Sequence, residues 1–470
     1  LADQEDEKKE LYKRIVQAAN PHVVAARMRE LGFWPPKAPV PDEPPEVKAE
    51  RAKLEAELEQ LRAQHSAVKD PSKALSAERL RRWEESKKKR AEKKKARLAA
   101  EAARRAAWAH ETKTRITYLG DGVSDGLDAT DALECDELKL GRLGLPILKT
   151  GLELATAMGI DLPTLKWLTY HRRGAALVHY HRYGIPKKTG GVRPISAPKA
   201  KLAAAQEWVL RTLLDRVAAS PEAHGFLRGK SVVTNATPHV GKKVVINLDA
   251  KDFFPTFTFR RVKGLFRKGL GYGEHVATVL ALLCTEPPRV AAELDGQTYW
   301  MALGERHLPQ GACTSPMITN LICTRLDRRL AGLARYHGFR YTRYADDLTF
   351  SGDDQETVGD LLGAVRRVLR AEGVQPNEDK TRVMRPGRRQ EVTGVTVNQK
   401  LSVPRDEVRK LKATLHNCAK HGLASQNRAG HPDFAAHLAG KVAWVTMVDP
   451  ARGEKLKALL TRALGTSPGP

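Results

Sequence analysis

Phe339-Arg340-Tyr341-Thr342-Arg343-Tyr344-Ala345-Asp346-Asp347-Leu348-Thr349-Phe350-Ser351 is the stretch on which the reading of this chain turns. Aromatic and β-branched residues alternate on both sides of the paired acids, which predicts two strands joined by a tight turn carrying Asp346 and Asp347. Asp is at home in turns because its side chain bonds the local backbone. Two neighbouring carboxylates at a hairpin tip nevertheless repel each other and do nothing for folding. About a hundred residues upstream, Lys243-Val244-Val245-Ile246-Asn247-Leu248-Asp249 reads as a buried strand delivering a third carboxylate at its C-terminal edge. Such a trio is tenable when divalent cations lie between its members, the arrangement that serves in-line phosphoryl transfer. Asp249 and Asp346 are the expected bridging ligands of two Mg²⁺ ions, with Mn²⁺ a possible substitute, and Asp347 is the supporting carboxylate. One ion would acidify an attacking hydroxyl and the other would neutralise charge on a leaving pyrophosphate.

The bulk of the chain agrees with a polyanionic partner. Its 470 residues suffice for two or three domains. Lys and Arg number 80 against 55 Asp and Glu, a net charge of +25 that favours nucleic acid, with an anionic membrane surface as the bland rival. No apolar run approaches the roughly 18 to 20 residues of a spanning helix, and no secretory core opens the chain. A membrane role is therefore not expected. The chain opens on Leu1 rather than Met, so its true start is expected to be missing or non-standard. The cysteines Cys135, Cys284, Cys313, Cys323 and Cys418 are scattered, with no Cys-x-x-Cys pair, and read as free buried thiols of a reducing cytoplasm.

Composition divides the sequence further. Residues 1–115 are charge-rich and helical in pattern, broken by prolines from Pro35-Pro36 to Pro44-Pro45. Leu54, Leu58 and Leu61 fall at the spacing of a weak coiled-coil seam. Between Arg81 and Arg105 bases dominate, notably Lys87-Lys88-Lys89-Arg90 and Lys93-Lys94-Lys95, as in a solvated charged helix or an arm that grips nucleic acid. Residues 116–130 are rich in Gly and Asp and look like a linker. Helix and strand patterns then alternate to about residue 400, after which Val408, Leu411 and Leu415 mark a helical segment. Pro255 suits the start of a helix after Asp252-Phe253-Phe254.

Further motifs occur in a fixed order around the acids. Ile185-Pro186-Lys187-Lys188-Thr189-Gly190-Gly191-Val192-Arg193-Pro194-Ile195 precedes the Asp249 strand. Leu308-Pro309-Gln310-Gly311 with Ser315-Pro316 lies between that strand and the Asp-Asp hairpin, and Asn377-Glu378-Asp379-Lys380-Thr381 follows it. In this order the chain, from about residue 160 to 465, resembles bacterial reverse transcriptases. Asn235-Ala236-Thr237-Pro238-His239 and Val392-Thr393-Gly394 resemble elements of the retron group, and the long basic extension is similar to that of its myxobacterial branch.

The resemblance implies an α/β (α+β) right-hand polymerase with fingers, palm and helical thumb, preceded by a charged helical extension. The implied division is an extension at 1–115, a linker at 116–130, helices and fingers at 131–242, palm at 243–400 and thumb at 401–470. It implies an RNA-directed DNA polymerase that binds its cognate structured non-coding RNA and primes from the 2′-hydroxyl of an internal guanosine. The product would be branched RNA–DNA (msDNA), made from dNTPs in the cytoplasm and used in defence against phage. Only some fifty residues follow Cys418, so template trimming is expected to fall to a host RNase H.

Individual residues take roles on the same footing. Lys187, Lys188 and Arg193 sit on a hairpin turn whose cations suit a lid over a triphosphate; a solvated basic turn is the alternative. Gln310 and Gly311 lie where template and nucleotide would approach the backbone. Phe254 takes the place of a steric gate against ribonucleotides, or is a core aromatic. Asp252 belongs to the phosphate side or to a structural bond, and Lys380 gives a proton or charge to pyrophosphate or stands idle on the surface. Asn235 and His239 are structural or touch the template RNA; Val392, Thr393 and Gly394 imply recognition of the cognate RNA nearby. Lys410 and Lys412 would grip the primer–template duplex from the thumb. Two other readings stay open: an intron-encoded or abortive-infection reverse transcriptase, and a nucleoprotein scaffold that neutralises a toxic effector protein.

Overall fold

A computed structural model describes residues 21–38, 45–66, 71–114, 116–127, 129, 131–187 and 190–465. The chain forms two compact units, Leu1–Ala107 and Trp108–Pro470, so the division precedes the expected one at residue 115. The proline-rich break lies partly outside the described residues, and Lys188 and Thr189 lie wholly outside them.

In the first unit, helices span Pro21–Glu30 and Pro45–Ser66, and a 44-residue helix, Pro71–Thr114, begins there and ends beyond the unit's last residue, Ala107. That last helix would measure about 66 Å at 1.5 Å per residue. Pro71 occupies its first position, where no hydrogen is missed, and neither Gly nor Pro interrupts it thereafter. Every side chain from Lys87 to Ala106 is exposed, so the helix stands on propensity and local pairs rather than on a buried face. Those pairs include Arg81–Glu78 at 2.7 Å and Lys87 over the Trp83 ring at 4.8 Å. Leu54 and Leu58, expected in a coiled-coil seam, are exposed.

The second unit combines helices with antiparallel strands. Strand β1 (Gly174–Ala175) leads to the hairpin of β2 (Tyr180–Pro186) and β3 (Val192–Pro198). After β4 (Val244–Lys251) come the hairpin strands β5 (Arg289–Leu294) and β6 (Gln297–Ala302). The Asp-Asp hairpin is β7 (Arg340–Tyr344) and β8 (Asp347–Gly352), followed by β9 (Gln375–Met384). Two short strands close the set, β10 (Glu391–Val392) and β11 (Val395–Thr396). The central sheet runs β7-β8-β4-β9, all antiparallel, with a register shift between Asn247 and Asp249 where β4 meets β9.

β4 lies in the interior of this sheet and is covered on both sides, which explains its nearly continuous apolar run. Val244, Ile246, Leu248 and Ala250 enter one core with Phe253, Phe257, Phe350 and the helix Glu274–Cys284. Val245, on the opposite face, enters a second core with Ala236, Val392, Val395 and Val397. The same second core holds Leu411, Leu415, Leu438, Val442 and Leu456 from the helices Arg405–His421, Phe434–Val448 and Pro450–Ala463. The architecture is the mixed helix-and-strand one expected.

Two expectations are corrected. Residues 116–130 are no simple linker: Ile116, Leu119, Val123 and Leu127 are buried in the first core. Their spacing is irregular because the backbone there is turn and coil, so no helical or strand period betrays them. The cysteines are free, but Cys313 is exposed rather than buried.

Candidate active site

The β7–β8 hairpin closes between Tyr344 and Asp347, leaving Ala345 and Asp346 as its two-residue loop. Ala345 adopts a left-handed backbone (φ 56°), a conformation an L side chain resists. The surroundings hold it there. Gly225 packs so closely beneath the turn that a side chain would place its first carbon 2.8 Å from the Ala345 nitrogen. Arg343, fully buried, donates from Nε and Nη2 to the two oxygens of Asp327 at 2.8 and 2.7 Å. Its Nη1 reaches Asn320 Oδ1 at 3.0 Å and the Ala345 carbonyl at 3.3 Å. Tyr341 Oη adds a bond to Asp327, and Asn320 Nδ2 donates to the Gly225 carbonyl at 2.9 Å. A dry ion pair of this kind gains little net stability, yet its forked geometry fixes the turn.

Register then brings the acids together. Asp249 of β4 pairs directly with Asp347 of β8, and the Ala250 amide donates to the Asp346 carbonyl at 3.1 Å. Burial, then the charges of Asp346 and Asp249, push the Asp347 carboxyl up to about 6. Burial first, and Asp249 after it, raises Asp346 above the ordinary carboxylate range, while Lys380 and Arg193 pull the other way. Lys380 Nζ sits 3.0 and 3.1 Å from the two oxygens of Asp249, and Asn377 Nδ2 donates to Oδ2 at 3.1 Å. Among the described residues no three carboxylate, His or Cys side chains are gathered closely enough to chelate an ion, and Asp249 is paired with Lys380. The donor chemistry still fits hard divalent cations: two carboxylates on adjoining strands and a third in the turn between β7 and β8, with Asp346 and Asp347 burdened by desolvation and repulsion that positive charge would relieve.

The neighbouring candidates fall into three groups. Gln310 and Gly311 are tied to the β2–β3 hairpin, since the Ser196 amide donates to the Gln310 carbonyl at 2.8 Å. A side chain at Gly311 (φ 122°) would meet Ile195 at 2.9 Å, so its smallness serves packing on β3. Lys187 and Arg193 are exposed on that hairpin, which turns through Gly190 and Gly191. Asp252 is exposed at φ 47°, and Phe254 is half-buried, its ring edge-on to Phe253 at 5.9 Å.

Asn235, His239 and Val392 are fully buried, so the structural alternative holds for Asn235 and His239, and none of the three faces RNA. His239 bridges Ser351 Oγ at 2.7 Å and Thr342 Oγ1 at 2.8 Å behind the β7–β8 hairpin, and burial drives its pKa down to about 3. Asn235 Nδ2 donates to Thr393 Oγ1 at 3.4 Å, steadying a residue at φ 46°. The two motifs therefore brace each other. Gly394 and Thr393 border a cavity of about 260 Å³ that also meets Asp347, Asn247 and Arg382. Lys410 and Lys412 are exposed on the helix whose other face holds Leu411 and Leu415. The buried Arg343–Asp327–Asn320 network is the part that sequence reading missed. An Arg between strand residues Thr342 and Tyr344 was its signal, but its partners lie 16 and 23 residues away on other elements.

Comparison with known proteins completes the assignment. The reverse transcriptase (RNA-dependent DNA polymerase) family matches residues 185–400. The retron Mx65 reverse transcriptase of Myxococcus xanthus is 43% identical over 352 residues, 75% of this chain and 80% of its own length. The retron Mx162 reverse transcriptase of the same organism is 43% identical over 381 residues, 76% of this chain and 77% of its own. The retron Ec86 reverse transcriptase of Escherichia coli is 32% identical across 69% of this chain and 92% of its own length. Reverse transcriptases as a family use an RNA template and divalent metal ions. With Asp249 paired to Asp347 at one end of the central sheet and likeness spanning most of each relative, the chain belongs to the retron reverse transcriptases, RNA-directed DNA polymerases.

Proposed function

We propose that this enzyme binds its own structured non-coding RNA, primes from the 2′-hydroxyl of an internal guanosine, and builds branched msDNA that serves in defence against phage. The observation that carries the reading is the register that sets Asp249 opposite Asp347, next to Asp346 in the turn, at one end of the central sheet, beside Lys380 and within electrostatic reach of Arg193. These three aspartates would hold two Mg²⁺ ions, which when bound acidify the attacking hydroxyl and neutralise the leaving charge. On the same reading the chain divides into N-terminal helices and fingers at 131–242, palm with finger insertions at 243–400 and thumb at 401–470.

The chain's own groups divide the remaining work. Arg193 and Lys187 clamp the triphosphate from the β2–β3 hairpin, and Gln310, fixed to that hairpin through Ser196, contacts the nucleotide. Phe254 excludes a 2′-hydroxyl by bulk. Lys380, poised on Asp249, supplies charge or a proton to the departing pyrophosphate. Thr393 and Gly394 border the recess next to Asp347 that receives the priming nucleotide. Lys410 and Lys412 hold backbone phosphates of the duplex, and the basic helix holds the RNA.

Nucleic acid recovered with the purified protein provides the test. A product that a 2′,5′-debranching phosphodiesterase splits into one RNA and one DNA supports the reading. A strictly linear DNA product overturns the branched priming and leaves only the polymerase. Phe254→Ala is expected to admit ribonucleotides into the product; unchanged sugar selection removes the gate role.

A further inference from the structure

Phe226 stands beside the catalytic turn in a posture that packing does not explain. Its side chain is 59% exposed, and its backbone lies in the left-handed region at φ 60°. A solvent-facing aromatic in that region is doubly unfavourable, so the surroundings must impose it. They do so from both sides. Ala223 bridges Arg343 in parallel, the His224 amide donates to the Arg343 carbonyl at 2.8 Å, and Asn320 holds the Gly225 carbonyl. Gly225 lies flush against Ala345, which leaves the next residue no inward direction. The Phe226 ring ends 6.1 Å from that of Tyr344, tilted by 40°, and Arg228 and Lys230 stand exposed just beyond it.

We propose that Phe226 is a nucleic-acid-binding residue: its ring stacks on a base or sugar of the duplex at the catalytic turn, while Arg228 meets an adjacent phosphate. An exposed aromatic flanked by cations suits any base, because every base presents a π face. The strap Ala223–Phe226 is tied to the same strand and turn that carry Asp346, so the platform and the catalytic acids keep a fixed separation. This inference rests on the polymerase reading of the three aspartates.

The test uses the full chain, a short RNA template annealed to a DNA primer, and dNTPs. Extension by the wild type checks the polymerase reading by itself. Phe226→Ala is expected to raise KM for the primed template roughly tenfold or more, with kcat for a single addition nearly unchanged, and Phe226→Trp to restore it. Phe226→Asn, whose short side chain tolerates a left-handed backbone, separates stacking from packing. It should keep or raise Tm while weakening binding as Phe226→Ala does. A clear fall in Tm in Phe226→Asn, or unchanged KM in a stably folded variant, overturns the proposal. Photocrosslinking with 5-iodouridine in the template or 5-iododeoxyuridine in the primer identifies the strand; crosslinking to neither overturns it as well.

Discussion

The helix Pro71–Thr114 and the hairpin β7–β8 carry charge in opposite ways. The helix sets its lysines and arginines in water, where each neighbouring pair contributes a fraction of a kilocalorie and any one can be lost. The hairpin keeps Arg343 and Asp327 dry and paired, and places half-buried Asp346 and exposed Asp347 beside a third acid. In the first case charge acts through its sum. In the second, position is everything: one buried guanidinium without its carboxylate costs more than several lysines removed from the helix.

The contrast can be broken most severely at the acids. Asp346→Asn and Asp347→Asn are each expected to lower DNA synthesis by at least about a thousandfold while RNA affinity stays within a few-fold. Comparable synthesis by either variant refutes the metal assignment. Next comes Asp327→Leu, which strands Arg343 in the interior and should destabilise the fold by about 3–5 kcal/mol in denaturant titrations. Adding Arg343→Met should recover most of that stability but not the rate of synthesis, since Ala345 loses its tether; full recovery of both would reduce the network to packing.

A smaller effect tests the back of the hairpin through pH. His239 titrates near 6.5 when unfolded and near 3 in the fold, so its contribution is complete above pH 6.5 and is lost as pH falls toward 3. His239→Gln should flatten the decline of Tm between pH 6.5 and 4, with His224, held down to about 4, keeping part of it. An unaltered acid limb would show that His239 is not buried as described. Smallest in stability is the change of Lys87, Lys88, Lys93 and Lys94 to Gln, expected to leave the fold within about half a kilocalorie per mole of its original stability. The same variant should reduce the slope of log affinity for RNA against log salt by about 0.7 for every phosphate the helix no longer neutralises. An unchanged slope would show that the helix does not touch RNA.

How much of this was legible follows from the range of the signals. The Asp-Asp hairpin and the β4 strand declare themselves locally, through alternation and a run of apolar residues, and their register places Asp249 opposite Asp347. The helix spacing of Leu411 and Leu415 was equally local and their burial follows it. Ile116, Leu119 and Leu127 went unread because they reach the core from irregular backbone. Asn235 and His239 look alike in sequence whether they face RNA or the interior; their partners Thr393, Ser351 and Thr342 are more than 100 residues away. The αL posture of Phe226 has no local signature, since Gly225, which imposes it, answers to a turn 120 positions later.

Strand β4 has one more lesson, for anyone who would build chimeras of this enzyme. Val245 and the valines of β10 and β11 share their packing with the three C-terminal helices, while the alternate residues of the same strand belong elsewhere. A transplant cut at residue 401 would sever that shared packing through its middle. A donor's C-terminal bundle would have to travel with its own counterparts of residues 236, 245 and 392–397, so the true seam for exchange runs lengthwise down a single strand, one side chain in two.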